Sequence, residues 1–126
     1  MNGVKFLLDT NFILGMLKSS PAVLEVLAAR HLTAGQCAFS AVTRMELLGF
    51  PGITPDEERL IRTTLDQFRY LAISFEVEEE AIAIRRTRRV KLPDALIAST
   101  ALCHGLELLT LDAELQAVLQ AVRPSP

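Results

Sequence analysis

Tryptophan is absent from this 126-residue chain, tyrosine occurs once, and cysteine and histidine occur twice each. With His31 and His104 far apart and no C-x-x-C pair, a zinc site of grouped nitrogen and sulfur ligands is excluded. A Ser-His-Asp hydrolase lacks the histidine it would need, and no G-x-x-x-x-G-K-[ST] stretch is present to cradle a nucleotide triphosphate. Cys37 in "QCAF" and Cys103 in "ALCHG" lie in apolar surroundings, so both are expected to be buried thiols rather than a disulfide framework, which fits a reducing cytoplasm. The opening "MNGVKFLLD" is too short for a signal peptide, and no apolar run reaches the ~18 residues of a membrane span, so the protein is expected to be soluble and cytoplasmic, with no membrane partner. No Pro/Gly/Ser linker or internal repeat divides the chain, and residues 1–126 are expected to form a single domain.

Apolar residues, by contrast, are plentiful. They make up 50% of the chain against 22% charged residues, and the mean hydropathy is +0.30. For a small domain this implies apolar surface covered by a partner, either a second copy or another protein. The net charge of -2 leaves nucleic acid open, because binding depends on local fields rather than on the total.

Four short apolar runs, "VKFLL" from 4, "CAF" from 37, "YLAIS" from 70 and "LELLT" near 107, read as buried parallel strands. Helical patterns separate them: "NFILGMLKSS", "PAVLEVLAARHL", "AVTRMELLGF", "TPDEERLIRTTLDQF", "EVEEEAIAIRRTRRV" and "PDALIASTALCHG". Thr54, Pro55 and Glu57 form a capping box with proline in the first turn, and Gly105 is suited to end the last of these helices. Alternating strands and helices predict an α/β fold with a mostly parallel sheet flanked by helices, in which ligands sit beyond the strands' carboxyl ends.

Four acids fall where such a site would form. Asp9 follows the first strand, Asp112 follows "LELLT" by one residue, Asp94 opens an otherwise apolar helix, and Glu46 borders an apolar helical stripe. Each has a purely structural reading as well: Asp9 and Asp112 as helix caps, Asp94 as a complement to the helix dipole, Glu46 as a solvated charge. A cluster of them would repel itself unless a cation neutralised it, and carboxylates without histidine or cysteine favour Mg²⁺ or Mn²⁺. Such a site suits phosphoryl chemistry. Thr10, Asn11, Ser40 and Thr43 lie near the same acids and offer hydrogen bonds to a substrate phosphate or a metal-bound water, although they are equally suited to capping. In "RRTRRVK" (85–91), Arg88, Arg89 and Lys91 stand beside Asp94, either as phosphate contacts or as a solvated helix end facing Glu78, Glu79 and Glu80.

The blocks "FLLDTNFIL", "SAVTRMELLG" and "KLPDALIASTALCHGLELLTLD" together resemble PIN-domain nucleases, in particular VapC-type toxins of type II toxin-antitoxin modules, over about residues 4–122. The resemblance implies a PIN-like fold and a Mg²⁺- or Mn²⁺-dependent endoribonuclease. It places Asp9, Glu46, Asp94 and Asp112 at the family's acidic positions, with Glu114 as a substitute for Asp112. It further implies a homodimer, a structured RNA substrate such as tRNA or rRNA, and a cognate antitoxin that covers the site. Two rivals remain. A haloacid-dehalogenase-like phosphatase would need D-x-D where this chain has "DTN". A catalytically silent PIN-like module would bind a metal or a protein without turnover.

Overall fold

The computed structural model describes residues 3–122. Strand β1 (Phe6–Leu8) leads into helices α1 (Thr10–Leu17) and α2 (Pro21–Arg30), then a 3₁₀ turn (Ala34–Gln36) and β2 (Cys37–Ser40). Helices α3 (Ala41–Leu48) and α4 (Pro55–Leu65) precede β3 (Arg69–Leu71). The chain continues through α5 (Phe75–Thr87), α6 (Leu92–His104), β4 (Glu107–Leu109) and α7 (Ala113–Val122). All strand pairings are parallel, in the order β3-β2-β1-β4, which confirms the expected α/β fold.

Successive strand residues point to opposite faces, and the sequence fills both faces with apolar side chains. Leu7, Ala38, Leu71 and Leu108 pack with Ala81 and Ile84 of α5, Ala95 and Ala98 of α6, and Leu115 and Leu119 of α7. Their neighbours Leu8, Cys37, Phe39 and Leu109 pack with Phe12 and Ile13 of α1, Val23 of α2, and Ile61 and Leu65 of α4. Each fully buried leucine here stabilises the fold by roughly 1.5–3 kcal/mol. Helix α3 contributes Val42 to one layer and Leu47 to the other, so it closes the carboxyl end of the sheet.

Local chemistry sets the ends of the helices. Thr54 and Glu57 form the expected capping box of α4, and Gly105 ends α6 with a φ of 65°. Helices α1 and α2 meet at a bend of 100°, and a Cβ on Gly15 would lie 2.4 Å from Val23 Cγ2, so only glycine permits that approach. Among the described residues no single helix is long and apolar enough to cross a membrane.

Several expectations need correction. The strands are shorter than the apolar runs: β3 stops at Leu71 because Ser74 already caps α5, accepting a hydrogen bond from the Val77 N–H at 3.2 Å. Helix α5 ends at Thr87, so Arg88 to Val90 form an extended loop rather than a helix end, and Arg85 Nε donates across it to the Val90 carbonyl. Cys37 is buried as expected, with its thiol pKa pushed up to about 11 by burial, whereas Cys103 lies on the exposed side of α6. Helix α7 (Ala113–Val122) follows Asp112, and the sequence marks it only through Asp112 as a possible cap.

Candidate functional site

The strand order turns back between β1 and β4, the place where open α/β sheets gather ligands. These strands are in register from Phe6↔Glu107 to Leu8↔Leu109, so their carboxyl-end loops lie side by side. Asp9, only 3% exposed, is the N-cap of α1, and its Oδ1 accepts the Phe12 N–H at 2.7 Å. Its Oδ2 accepts the Thr110 hydroxyl. Asp112 precedes α7 and accepts the N–H groups of Glu114 at 2.9 Å and Leu115 at 3.2 Å, while its own N–H donates to Thr110 Oγ1 at 3.0 Å. Thr110 thus ties the two loops together. No sequence reading singled it out, although a polar residue directly after a strand is the same signal that marked Asp9.

The other two acids stand on helices. Glu46 on α3 is exposed, and its Oε1 accepts the Thr10 hydroxyl at 2.6 Å. Asp94 sits half-buried in the first turn of α6, and among the described residues its carboxylate makes no hydrogen bond or ion pair. The capping reading is therefore correct for Asp9 and Asp112; Thr110 takes the second oxygen of Asp9, and capping uses only Oδ1 of Asp112.

Electrostatics joins these positions. Burial raises the Asp9 pKa above the ordinary carboxylate value; the hydrogen bonds from Thr110 and Phe12 oppose the rise, and the charges of Asp112 and Asp94 add to it. Burial also raises the Asp94 pKa, with Asp112, Glu46 and Glu114 adding to the shift and Lys91 opposing it. Acids from four separate stretches of sequence thus feel one another's charge at the carboxyl end of the sheet. The donors are all oxygen, which suits a hard divalent cation. Among the described residues no three His, Cys, Asp or Glu side chains already stand at metal-ligand spacing, so the acids are near enough to feel one another's charge without standing at ligand distance.

The remaining candidates separate by environment. Asn11 is exposed next to Asp9. Ser40 and Thr43 are 1% and 0% exposed, and Ser40 Oγ caps α3 by accepting the Thr43 N–H at 3.2 Å. Lys91 immediately precedes α6 and lies close enough to Asp94 to favour its charged form. Arg88 and Arg89 are exposed on the adjoining loop, and none of the basic run forms an ion pair with Glu78, Glu79 or Glu80 among the described residues.

Comparison with known proteins identifies the fold. The family model described as PIN domain matches residues 6–119. No curated protein matches the sequence. Among solved structures, a chain of a toxin-antitoxin complex from Klebsiella pneumoniae is 31% identical, with a TM-score of 0.75 over 87% of this chain and 88% of that one. A chain of FitAcB from Neisseria gonorrhoeae is 25% identical, with a TM-score of 0.75 over 91% and 93%. A chain of VapBC2 from Rickettsia felis, bound to a DNA fragment from their promoter, shares the fold at 17% identity, with a TM-score of 0.73 over 91% and 93%. The chain belongs to the PIN domain family.

Proposed function

We propose that this protein is a Mg²⁺- or Mn²⁺-dependent endoribonuclease that serves as the toxin of a toxin-antitoxin pair. The observation that carries this reading is the convergence of acids at the switch point of the sheet, where Asp9 and Asp112 follow neighbouring strands and are linked through Thr110, and Asp94 is near enough to both, and to Glu46, to feel their charge. In this reading Asp9, Asp94, Asp112 and Glu46 hold the cation, with Glu114, whose charge also reaches Asp94, as the alternative to Asp112 for the fourth acid. The bound cation would lower the pKa of a coordinated water and offset the charge that develops on the phosphate.

The chain's own groups do the positioning. The Phe12 N–H and the Thr110 hydroxyl fix both oxygens of Asp9, so this buried carboxylate is held in one orientation before any substrate arrives. Lys91 brings a positive charge to the rim beside Asp94, and Arg88 and Arg89 extend it along the exposed loop, where they contact the RNA phosphates on either side of the cut. Asn11 and Thr10 are placed at the same rim.

An apolar groove of about 420 Å³ begins at Thr10 and Glu46 and runs past Leu14, Leu47, Phe50 and Leu60. Phe50 and Leu60 are 63% and 54% exposed, which supports an antitoxin segment lying along the groove and covering the acids. Phe75, Ile82 and Leu92 leave a second apolar area on α5 and the start of α6, which supports a homodimer. Two free cysteines suit a reducing cytoplasm.

Antitoxin-free protein incubated with total cellular RNA and Mn²⁺ should give discrete fragments, and these should vanish with EDTA or in Asp9→Asn. Intact RNA alongside demonstrable Mn²⁺ binding would instead support a silent metal-binding module.

A further inference from the structure

Glu46 and Thr43 pose a joint puzzle. Glu46 projects from an exposed part of α3, where a glutamate with three free torsions would ordinarily sweep through solvent. Thr43, three residues earlier on the same helical face, is fully buried, and a valine of the same shape would fill that space without a hydroxyl in need of a partner. The hydrogen bonds resolve both points. Thr10 Oγ1 lies 2.6 Å from Glu46 Oε1 and 3.0 Å from Thr43 Oγ1. A carboxylate only accepts and Thr10 has one hydroxyl proton, so that proton goes to Glu46. The bond between the two threonines must then be donated by Thr43. The chain of protons runs from buried Thr43 to Thr10 to the carboxylate.

We infer that Thr43 is a positioning residue: acting through Thr10, it holds the Glu46 carboxylate at the rim of the acid site instead of contacting substrate itself. Its hydroxyl reaches no other side chain among the described residues, so orienting Thr10 is its role. Thr10 opens α1 directly after Asp9, so the same link ties α3 to the loop that carries the most buried acid. As a step toward cation binding the inference rests on the proposed function; as a statement about Glu46 it does not.

The test therefore reads two things. In metal-free protein, NMR couplings should show one dominant Glu46 side-chain rotamer, which becomes averaged in Thr43→Val and in Thr10→Val and is restored in Thr43→Ser. With Mn²⁺, Thr43→Val should weaken binding by ~10-fold, the lower end of what losing an outer hydrogen-bond partner costs a metal site. In a Glu46→Gln background the same substitution should add nothing, whereas a merely structural role for Thr43 would weaken binding equally in both backgrounds. An averaged Glu46 rotamer in the unaltered protein, or one indifferent to Thr43→Val in a variant that still melts cooperatively, would overturn the inference. If the rotamer responds as expected while no variant binds Mn²⁺ or cuts RNA, the positioning stands and the ribonuclease reading falls.

Discussion

The two acids that follow strands differ from the two carried on helices. Asp9 and Asp112 each give an oxygen to the N-terminal turn of the next helix, so the fold needs them whatever else they do. Asp94 and Glu46 cap nothing; Glu46 is exposed, and Asp94 is half-buried like Asp112. Substituting a capping acid perturbs stability and chemistry together, whereas substituting a helix-borne acid isolates the chemistry. Asp94 is the clearest case, being half-buried, without a hydrogen bond, and surrounded mostly by like charge.

The comparison is sharpest at Asp94. Asp94→Asn keeps the shape of the side chain, and RNA cleavage should fall by more than the ~10–100-fold that an outer partner costs a metal site. Activity at the level of the unaltered protein would remove Asp94 from the site. At the capping acids the substitutions should split by chemistry: Asp112→Ala should destabilise the fold by ~1 kcal/mol through loss of the α7 cap, while Asp112→Asn should nearly preserve stability. Urea unfolding of the two variants measures this, and equal stabilities would mean that the cap contributes nothing.

A smaller effect with a definite sign comes from pH. The folded-state pKa values of Asp9 and Asp94 lie above their ordinary value, so between the unfolded pKa of about 4 and the raised folded pKa the native chain holds protons that the unfolded chain has released. Stability contributed by these groups therefore falls as pH rises through that window and stays low above it. Thermal melts in EDTA should show Asp94→Asn more stable than the unaltered protein at pH 7, with the difference shrinking toward pH 4. Mn²⁺ should raise the melting temperature of the unaltered protein more than that of the variant, because a ligand stabilises only the state that binds it. The smallest change is expected at the basic loop. Arg88→Ala or Arg89→Ala should raise KM a few-fold and lower the salt dependence of RNA binding by about one unit of slope per lost phosphate contact, leaving kcat unchanged.

Much of this arrangement was legible in the sequence because each piece had a local signature. Asp9 stands after a buried apolar run, Asp94 in the first turn of an apolar helix, and Thr54 and Glu57 at the start of α4. Long-range pairing left no such trace. Thr110 gains its role only because β4 lies beside β1, which brings it to a residue 101 positions away in the chain. Thr10 and Thr43 offered hydrogen bonds to a phosphate or a metal-bound water as readily as helix caps, and the packing of α1 against α3 joins the Thr43 hydroxyl to Thr10 and the Thr10 hydroxyl to Glu46. Helix α7 showed in the sequence only through Asp112 as a possible cap, although the apolar spacing of Leu115 and Leu119 is that of a short amphipathic helix. Cys103 shows the limit of composition: its neighbours in sequence are apolar, but it falls on the outward side of α6.

Mn²⁺ titrated calorimetrically into metal-free protein, in parallel with Asp94→Asn and Glu46→Gln, tests most directly whether acids from separate segments form one site. Saturable binding that weakens in both variants, neither of which loses a helix cap, is the expected result. Binding of equal strength in all three proteins, or none in the unaltered one, would contradict a shared metal site at the end of the sheet.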